Sequence, residues 1–147
     1  MVWGNAYLTT VMSVIVAATR LLAAQTPPDP RLAGAFALER DGQLKQSIAA
    51  IQVLLDSGSL NVPDTGKAWN ILALAYEDRG DFLDAQRAYE RAIRTLEKLP
   101  NHITDYAMAL DDLGGLYLAM GQSDLALRIK EKTLHLYKKV GDHEGTA

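Results

Sequence analysis

Three histidines, His102, His135 and His143, are the side chains of this chain best suited to proton transfer or metal binding, and they are scattered along it. Glu131 and His135 stand one helical turn apart and could present two ligands to one ion. A catalytic zinc takes three protein ligands and a structural zinc four, so the pair reads as an exposed ion pair on a helix. Asp111 and Asp112 are adjacent carboxylates, but neighbours on a helix point about 100° apart and do not converge as an acid–base pair. Gly114-Gly115 is not a phosphate loop, because the Gly-x4-Gly-Lys-Ser/Thr pattern is missing. The absence of cysteine removes disulfides, iron–sulfur clusters, thiolate zinc sites and thiol nucleophiles together. The residue set names no catalytic residue, cofactor site or metal site, and the chain does not read as an enzyme.

The sequence does repeat a pattern of apolar and small residues. Trp69, Leu72, Ala73, Tyr76, Gly80, Ala85, Tyr89 and Ala92 are followed 41 residues later by Leu110, Leu113, Gly114, Tyr117, Gly121, Ala126, Lys130 and Thr133. From Trp69 to Tyr76 the apolar residues fall at steps of three and four, one side of a helix, with Lys67, Asn70, Glu77 and Asp78 on the other. Gly80 suits a left-handed helix end, and Asp81 a following N-cap. A second helix is expected to run to Leu99, with Ala85, Ala88, Ala92, Leu96 and Leu99 on one stripe, until Pro100 ends it. Small residues at 73, 85, 92 and 114 let helix axes approach to about 8–10 Å. The second glycine of the pair, Gly115, is read as a close-packing position. No run alternates with period two, so the expected structure is all-α.

The series Trp69-x2-Leu72-Ala73-x2-Tyr76, then Ala85-x3-Tyr89 and Pro100, closely resembles the tetratricopeptide repeat. Leu110-x2-Leu113-Gly114-x2-Tyr117 and Ala126 form a second copy, which departs from the pattern at Lys130 and Thr133. A weaker copy lies 38 residues before the first: Gly34, Ala35, Leu38, Gly42, Leu44, Ser47, Ile51 and Leu54, with Arg31 where Trp69 would fall. The resemblance implies a right-handed α-solenoid of antiparallel helix hairpins, with repeats over residues 31–57 (divergent), 65–99 and 104–140. The 41-residue spacing, against the usual 34, is similar to kinesin light chain and related bacterial arrays. In that variant residues 141–147 would be an inter-repeat link, cut where another repeat begins.

Residues 1–24 are of another kind, with no charged side chain before Arg20 and the run Val11-Met12-Ser13-Val14-Ile15-Val16-Ala17-Ala18. The run fits a secretory signal with Ala23-Ala24 before the cleavage point and a Pro-rich linker at 25–30. It also fits a membrane anchor, or a helix packed on the open end of the array. The first two readings place the protein outside the cytoplasm, as periplasmic, secreted or membrane-anchored, and the third leaves it cytoplasmic. A net charge of −3 with acids and bases interspersed argues against nucleic acid as the partner.

Stacked hairpins make surfaces, and surfaces bind. The resemblance implies a groove lined by the first helix of each hairpin. Its expected partner-binding residues are Phe36, Glu39 and Arg40, then Lys67, Asn70, Leu74, Glu77 and Asp78, then Met108, Asp111 and Leu118. With Asp112 also on that side, acids number five and bases two, so a basic and apolar protein segment is the expected partner. The last helix carries Leu127 and Leu134 outside its core stripe, which points to self-association or another partner at that end. Two readings of the whole remain: a stand-alone binding scaffold, or the sensing part of a larger regulatory protein.

Overall fold

The computed structural model describes residues 27–144, with side-chain surroundings through Gly141. The apolar segment 1–24 lies outside them. Six α-helices occur among the described residues: α1 (Pro30–Arg40), α2 (Leu44–Asp56), α3 (Val62–Arg79), α4 (Phe82–Leu96), α5 (Ile103–Ala119) and α6 (Ser123–Glu144). A 3-10 turn, Pro100–His102, precedes α5, and these residues contain no strand. Each helix packs on the next, giving three antiparallel hairpins. The first helices also touch one another, α1 against α3 and α3 against α5. The result is an all-α solenoid of stacked hairpins.

The hairpin turns share one capping device. Gly42, Gly80 and Gly121 adopt positive φ of 75°, 87° and 75°. Each donates its N–H to the carbonyl three residues back, Glu39, Glu77 and Leu118, and the residue after it donates to Leu38, Tyr76 and Tyr117. These paired bonds satisfy the last carbonyls of α1, α3 and α5, and only glycine reaches that φ without steric cost.

Other boundaries differ from the sequence expectation. Pro30 does not extend the linker but opens α1, where its missing N–H is harmless, and Asp29 caps the helix by accepting from Arg31 N at 2.9 Å. Asp81 sits at the N-cap of α4 yet makes no capping bond, because Arg79 holds its carboxylate. α4 ends at Leu96 rather than Leu99. Leu99 precedes a proline and takes the extended conformation that such residues require, φ −108° and ψ 95°. α6 continues through Gly141 to Glu144, so part of the segment expected as a link is helical.

The core runs along the stack. Leu32 and Ala35 of α1 meet Ile48, Ile51 and Leu54 of α2, and the cluster continues through Ala68, Leu72, Ala73 and Ala75 of α3 to Ala85, Ala88 and Tyr89 of α4. Ala92 and Leu96 then join Tyr106, Ala109 and Leu110 of α5. Alanine dominates where α3 meets α4, and Gly66 allows the closest approach, since a β-carbon there would lie 2.6 Å from Leu96. The hairpins are also tied by polar contacts: the Ser47 hydroxyl donates to the Ala35 carbonyl at 2.8 Å, and Asp29 N donates to the buried Asp64 carboxylate at 3.3 Å.

Candidate partner-binding groove

The side-by-side first helices leave a hollow of about 340 Å³ on their shared face. α1 supplies Phe36, α3 supplies Lys67, Asn70, Ile71 and Leu74, and α5 supplies Asp105, Met108 and Asp112, with Leu96 of α4 behind. On α3 these positions step by three, one and three, and on α5 by three and four, as one helix face demands. Phe36 and Met108 are 43% and 50% exposed, large apolar side chains left in solvent on opposite walls. Scattered exposed apolar residues need no explanation, but two flanking a concave site supply ready contact area.

The polar groups of the hollow are arranged around Asn70. Its amide Nδ2 donates to Asp112 Oδ2 at 2.9 Å, whereas its Oδ1 is buried and accepts no hydrogen bond. Lys67 is drawn aside by Asp105, 3.6 Å away, and Asp105 also meets His102 Nδ1 at 2.9 Å. The base in this hollow is therefore partly spent on a neighbouring acid.

Further along the same helices the carboxylates accumulate. Burial pushes the Asp112 carboxyl above its ordinary range, the amide of Asn70 opposes this, and Asp111 adds to it. Glu77 is likewise raised, first by burial and then by Asp112 and Asp78, although Tyr89 donates its hydroxyl to Glu77 Oε2 at 2.8 Å. Tyr89 is fully buried, and its phenol is pushed strongly upward by that burial and by Glu77. Glu39 of α1 is nearly buried and is raised by desolvation and by Asp78 of α3. This face is thus net acidic, with Glu39, Asp78, Glu77 and Asp112 crowded across α1, α3 and α5.

Of the residues expected from sequence, Phe36, Lys67, Asn70, Leu74 and Met108 line the hollow. Glu39, Glu77 and Asp78 stand beside it in the carboxylate group. Three stand apart from the lining. Arg40 is exposed and paired with Asp41 at 3.6 Å, Leu118 is 54% exposed farther along α5, and Asp111 is bound by Lys130 Nζ at 2.7 Å. Asp112, not Asp111, faces the hollow. Lys130 occupies the position that Tyr89 holds one repeat earlier, and its ammonium turns to Asp111 because Leu118 has replaced the Glu77 that Tyr89 bonds. Sequence reasoning left out Asp105 and Ile71. Asp105 stands one turn before Met108 on the same face, a signal that the spacing contained. No group of three or more His, Asp or Glu side chains positioned for a metal occurs among the described residues.

Stacked hairpins with a concave face of exposed apolar and acidic side chains define a class of protein: helical-repeat scaffolds that bind other proteins. The family model for the tetratricopeptide repeat matches residues 64–147, more than half of the chain. The chain belongs to the tetratricopeptide repeat family, whose domains serve as protein–protein interaction scaffolds. It is 42% identical over 64 residues to the cytochrome c-type biogenesis protein CycH of Rhizobium meliloti (strain 1021), covering 43% of this chain and 17% of that one. It is 40% identical over 63 residues to protein FlbA of Caulobacter vibrioides, covering 43% of this chain and 9% of the relative. The matched stretch is thus less than a fifth of the length of either relative.

Proposed function

We propose that the concave face binds a segment of a partner protein that carries basic and apolar side chains, and that the chain acts as a docking scaffold. The observations behind this reading are the hollow between the first helices, the exposed Phe36 and Met108 on its walls, and the Asp112 carboxylate beside Asn70. A lysine ammonium would pair with the Asp112 carboxylate while its alkyl stem lies against Phe36 and Met108. An acidic segment would meet Asp112, Glu77 and Asp78 and be repelled.

Fluorescence anisotropy with two short labelled peptides, one of Lys and Leu and one of Glu and Leu, tests the reading. The Lys-Leu peptide should bind the more tightly and weaken with added salt. The pair Asp112→Lys with Asp78→Lys should weaken it roughly tenfold or more. Equal binding of both peptides, or unchanged affinity in the double variant with an intact helical spectrum, overturns it.

Residues 1–24 suggest that the scaffold works outside the cytoplasm, with this segment cleaved or kept as an anchor. Among the described residues no helix is long and apolar enough to cross a membrane. Intact-mass analysis of protein from an exporting bacterial host tests this: a full-length species in the cytoplasmic fraction overturns it. The length of the two bacterial relatives favours a second reading, in which an array of this kind is the recognition part of a larger protein. Reading the coding sequence beyond Ala147 for a stop codon distinguishes the two.

A further inference from the structure

α3 borders a second hollow, on the side away from the concave face. Lys67, Asn70, Ile71 and Leu74 point to the concave side, and Trp69, Leu72 and Tyr76 lie about half a turn from them, since residues step by about 100° around a helix. These three floor a hollow of about 320 Å³ whose walls are α2, with Leu55, and α4, with Arg87 and Arg91 one turn apart. The Arg91 guanidinium lies over the Trp69 ring, 4.6 Å from its centroid. The Gln52 amide donates to the Tyr76 hydroxyl at 3.0 Å, which fixes the phenol and leaves its O–H to donate in turn. Arg91 differs from the other arginines of α4 in having no acid. Arg87 pairs with Asp84 at 3.1 Å and Arg94 with Glu90 at 4.0 Å, whereas Arg91 makes no ion pair among the described residues. A guanidinium held over an aromatic ring keeps its N–H edge for a carboxylate, which it can take through two parallel bonds. One repeat later Leu110 replaces Trp69, and Lys132 replaces Arg91 and lies over Tyr106 at 5.4 Å, so the arrangement belongs to this junction.

We propose that this convex hollow is a second docking site, which takes one acidic side chain flanked by aliphatic residues in a segment of a partner protein. The carboxylate pairs with Arg91, a flanking aliphatic side chain lies against Leu55 and the half-buried rings of Trp69 and Tyr76, and the Tyr76 O–H meets a backbone carbonyl of the segment. Charge complementarity selects the acid, because Arg91 is the guanidinium of the lining that no carboxylate holds, Asp84 being engaged by Arg87. Asp56, the last residue of α2, also lines the hollow without a base and disfavours a second acid, so the site fits a single carboxylate rather than an acidic run. The concave face is read as taking the opposite charge on the opposite side of α3, and neither site depends on the other. With one guanidinium to offer, the convex site binds its segment less tightly than the concave face binds a Lys-Leu peptide.

The full chain carrying Trp3→Phe, in which Trp69 is the only tryptophan, tests the proposal. Trp69 emission is followed as end-blocked Leu-Glu-Leu or Leu-Gln-Leu peptide is added, and calorimetric titration gives the affinities separately. The Glu peptide should change the emission saturably and bind roughly tenfold or more tightly than the Gln peptide. Arg91→Gln should abolish that preference, and because Arg91 is exposed the variant should keep its helical circular dichroism spectrum. Trp69→Leu, which installs the residue found at this place one repeat later, should weaken the Glu peptide several-fold by calorimetry. Arg94→Gln, and Phe36→Ala with Met108→Ala on the concave walls, should leave its affinity unchanged. No saturable change in Trp69 emission, equal binding of the two peptides, or a preference that survives Arg91→Gln overturns the proposal. Loss of the Glu peptide in the Phe36 and Met108 pair puts the segment on the concave face and overturns it too. Failure of the Lys-Leu peptide to bind counts against the concave reading alone.

Discussion

Adjacent glycines in α5 have opposite structural reasons. A β-carbon on Gly114 would stand 3.3 Å from Ile129 Cγ2 and 3.3 Å from Lys130 Cε, whereas one on Gly115 would meet nothing within 4 Å. Both have ordinary helical backbone, so the difference is one of space alone. Gly115→Ala should therefore raise stability by about 0.5–1 kcal/mol through lost unfolded-state freedom. Gly114→Ala should give back that gain against the α6 side chains, and Gly66→Ala, against Leu96, should be destabilising by about 1–3 kcal/mol. Urea unfolding of the three variants checks the order; a stabilising Gly66→Ala would show that Leu96 can move aside. The repeat register made Gly114 legible, because it aligns with Ala73. It misjudged Gly115, read as a packing position, and passed over Gly66, since neither the neighbour nor its absence is written in local spacing.

Helices in this array meet through acids as well as apolar side chains, and that makes their packing sensitive to pH. Glu39 on α1 is 9% exposed and lies near Asp78 on α3, with Arg40 the base that partly opposes them. Glu77 on α3 and Asp112 on α5 are raised for related reasons. A carboxyl with a raised pKa in the folded state binds its proton more tightly there than when unfolded. Its contribution is complete below the ordinary values, 4.5 for the glutamates and 3.8 for Asp112, and is lost as pH rises through the folded value. The thermal midpoint should accordingly fall as pH is raised from about 4 toward neutrality. Asp29, held down to about 2 by Arg31, acts in the opposite sense but below this window. Glu39→Gln should raise the midpoint at neutral pH and flatten its pH dependence, as thermal melts across that range would show. A midpoint unaffected by pH, or lowered by the substitution, would mean that α1 does not rely on this contact. At this scale the three-and-four spacing identified helices and faces well, while helix ends depended on local chemistry such as Arg79 taking the carboxylate of Asp81.

For the whole molecule, stability in a repeat array is a sum of hairpin terms and junction terms, so the hairpin with a junction on each side should open last. The α3–α4 hairpin has that place, with Ala68, Ala73, Ala75, Ala85, Tyr89 and Ala92 fully buried. Native-state hydrogen exchange should show slowest exchange in α3 and α4 and faster exchange in α1 and α6. Uniform protection across all helices would instead indicate a single cooperative unit.

Sequence alone determined the class of fold and the approximate position of each hairpin, because a helix face, a left-handed glycine turn and a small residue at a crossing are local requirements that spacing records. It also placed Phe36, Lys67, Asn70, Leu74 and Met108 on one surface, since that surface follows from the same periodicity. Tertiary structure alone decided which groups are free to act. Asp111 and Asp112 are adjacent in the chain, yet one is held by Lys130 and the other faces the hollow beside Asn70. Lys67 is engaged by Asp105, and the Asn70 amide donates to Asp112 across the two helices. Such outcomes depend on the rotation of one helix against its neighbours, a quantity set by packing across the whole stack rather than by any single segment.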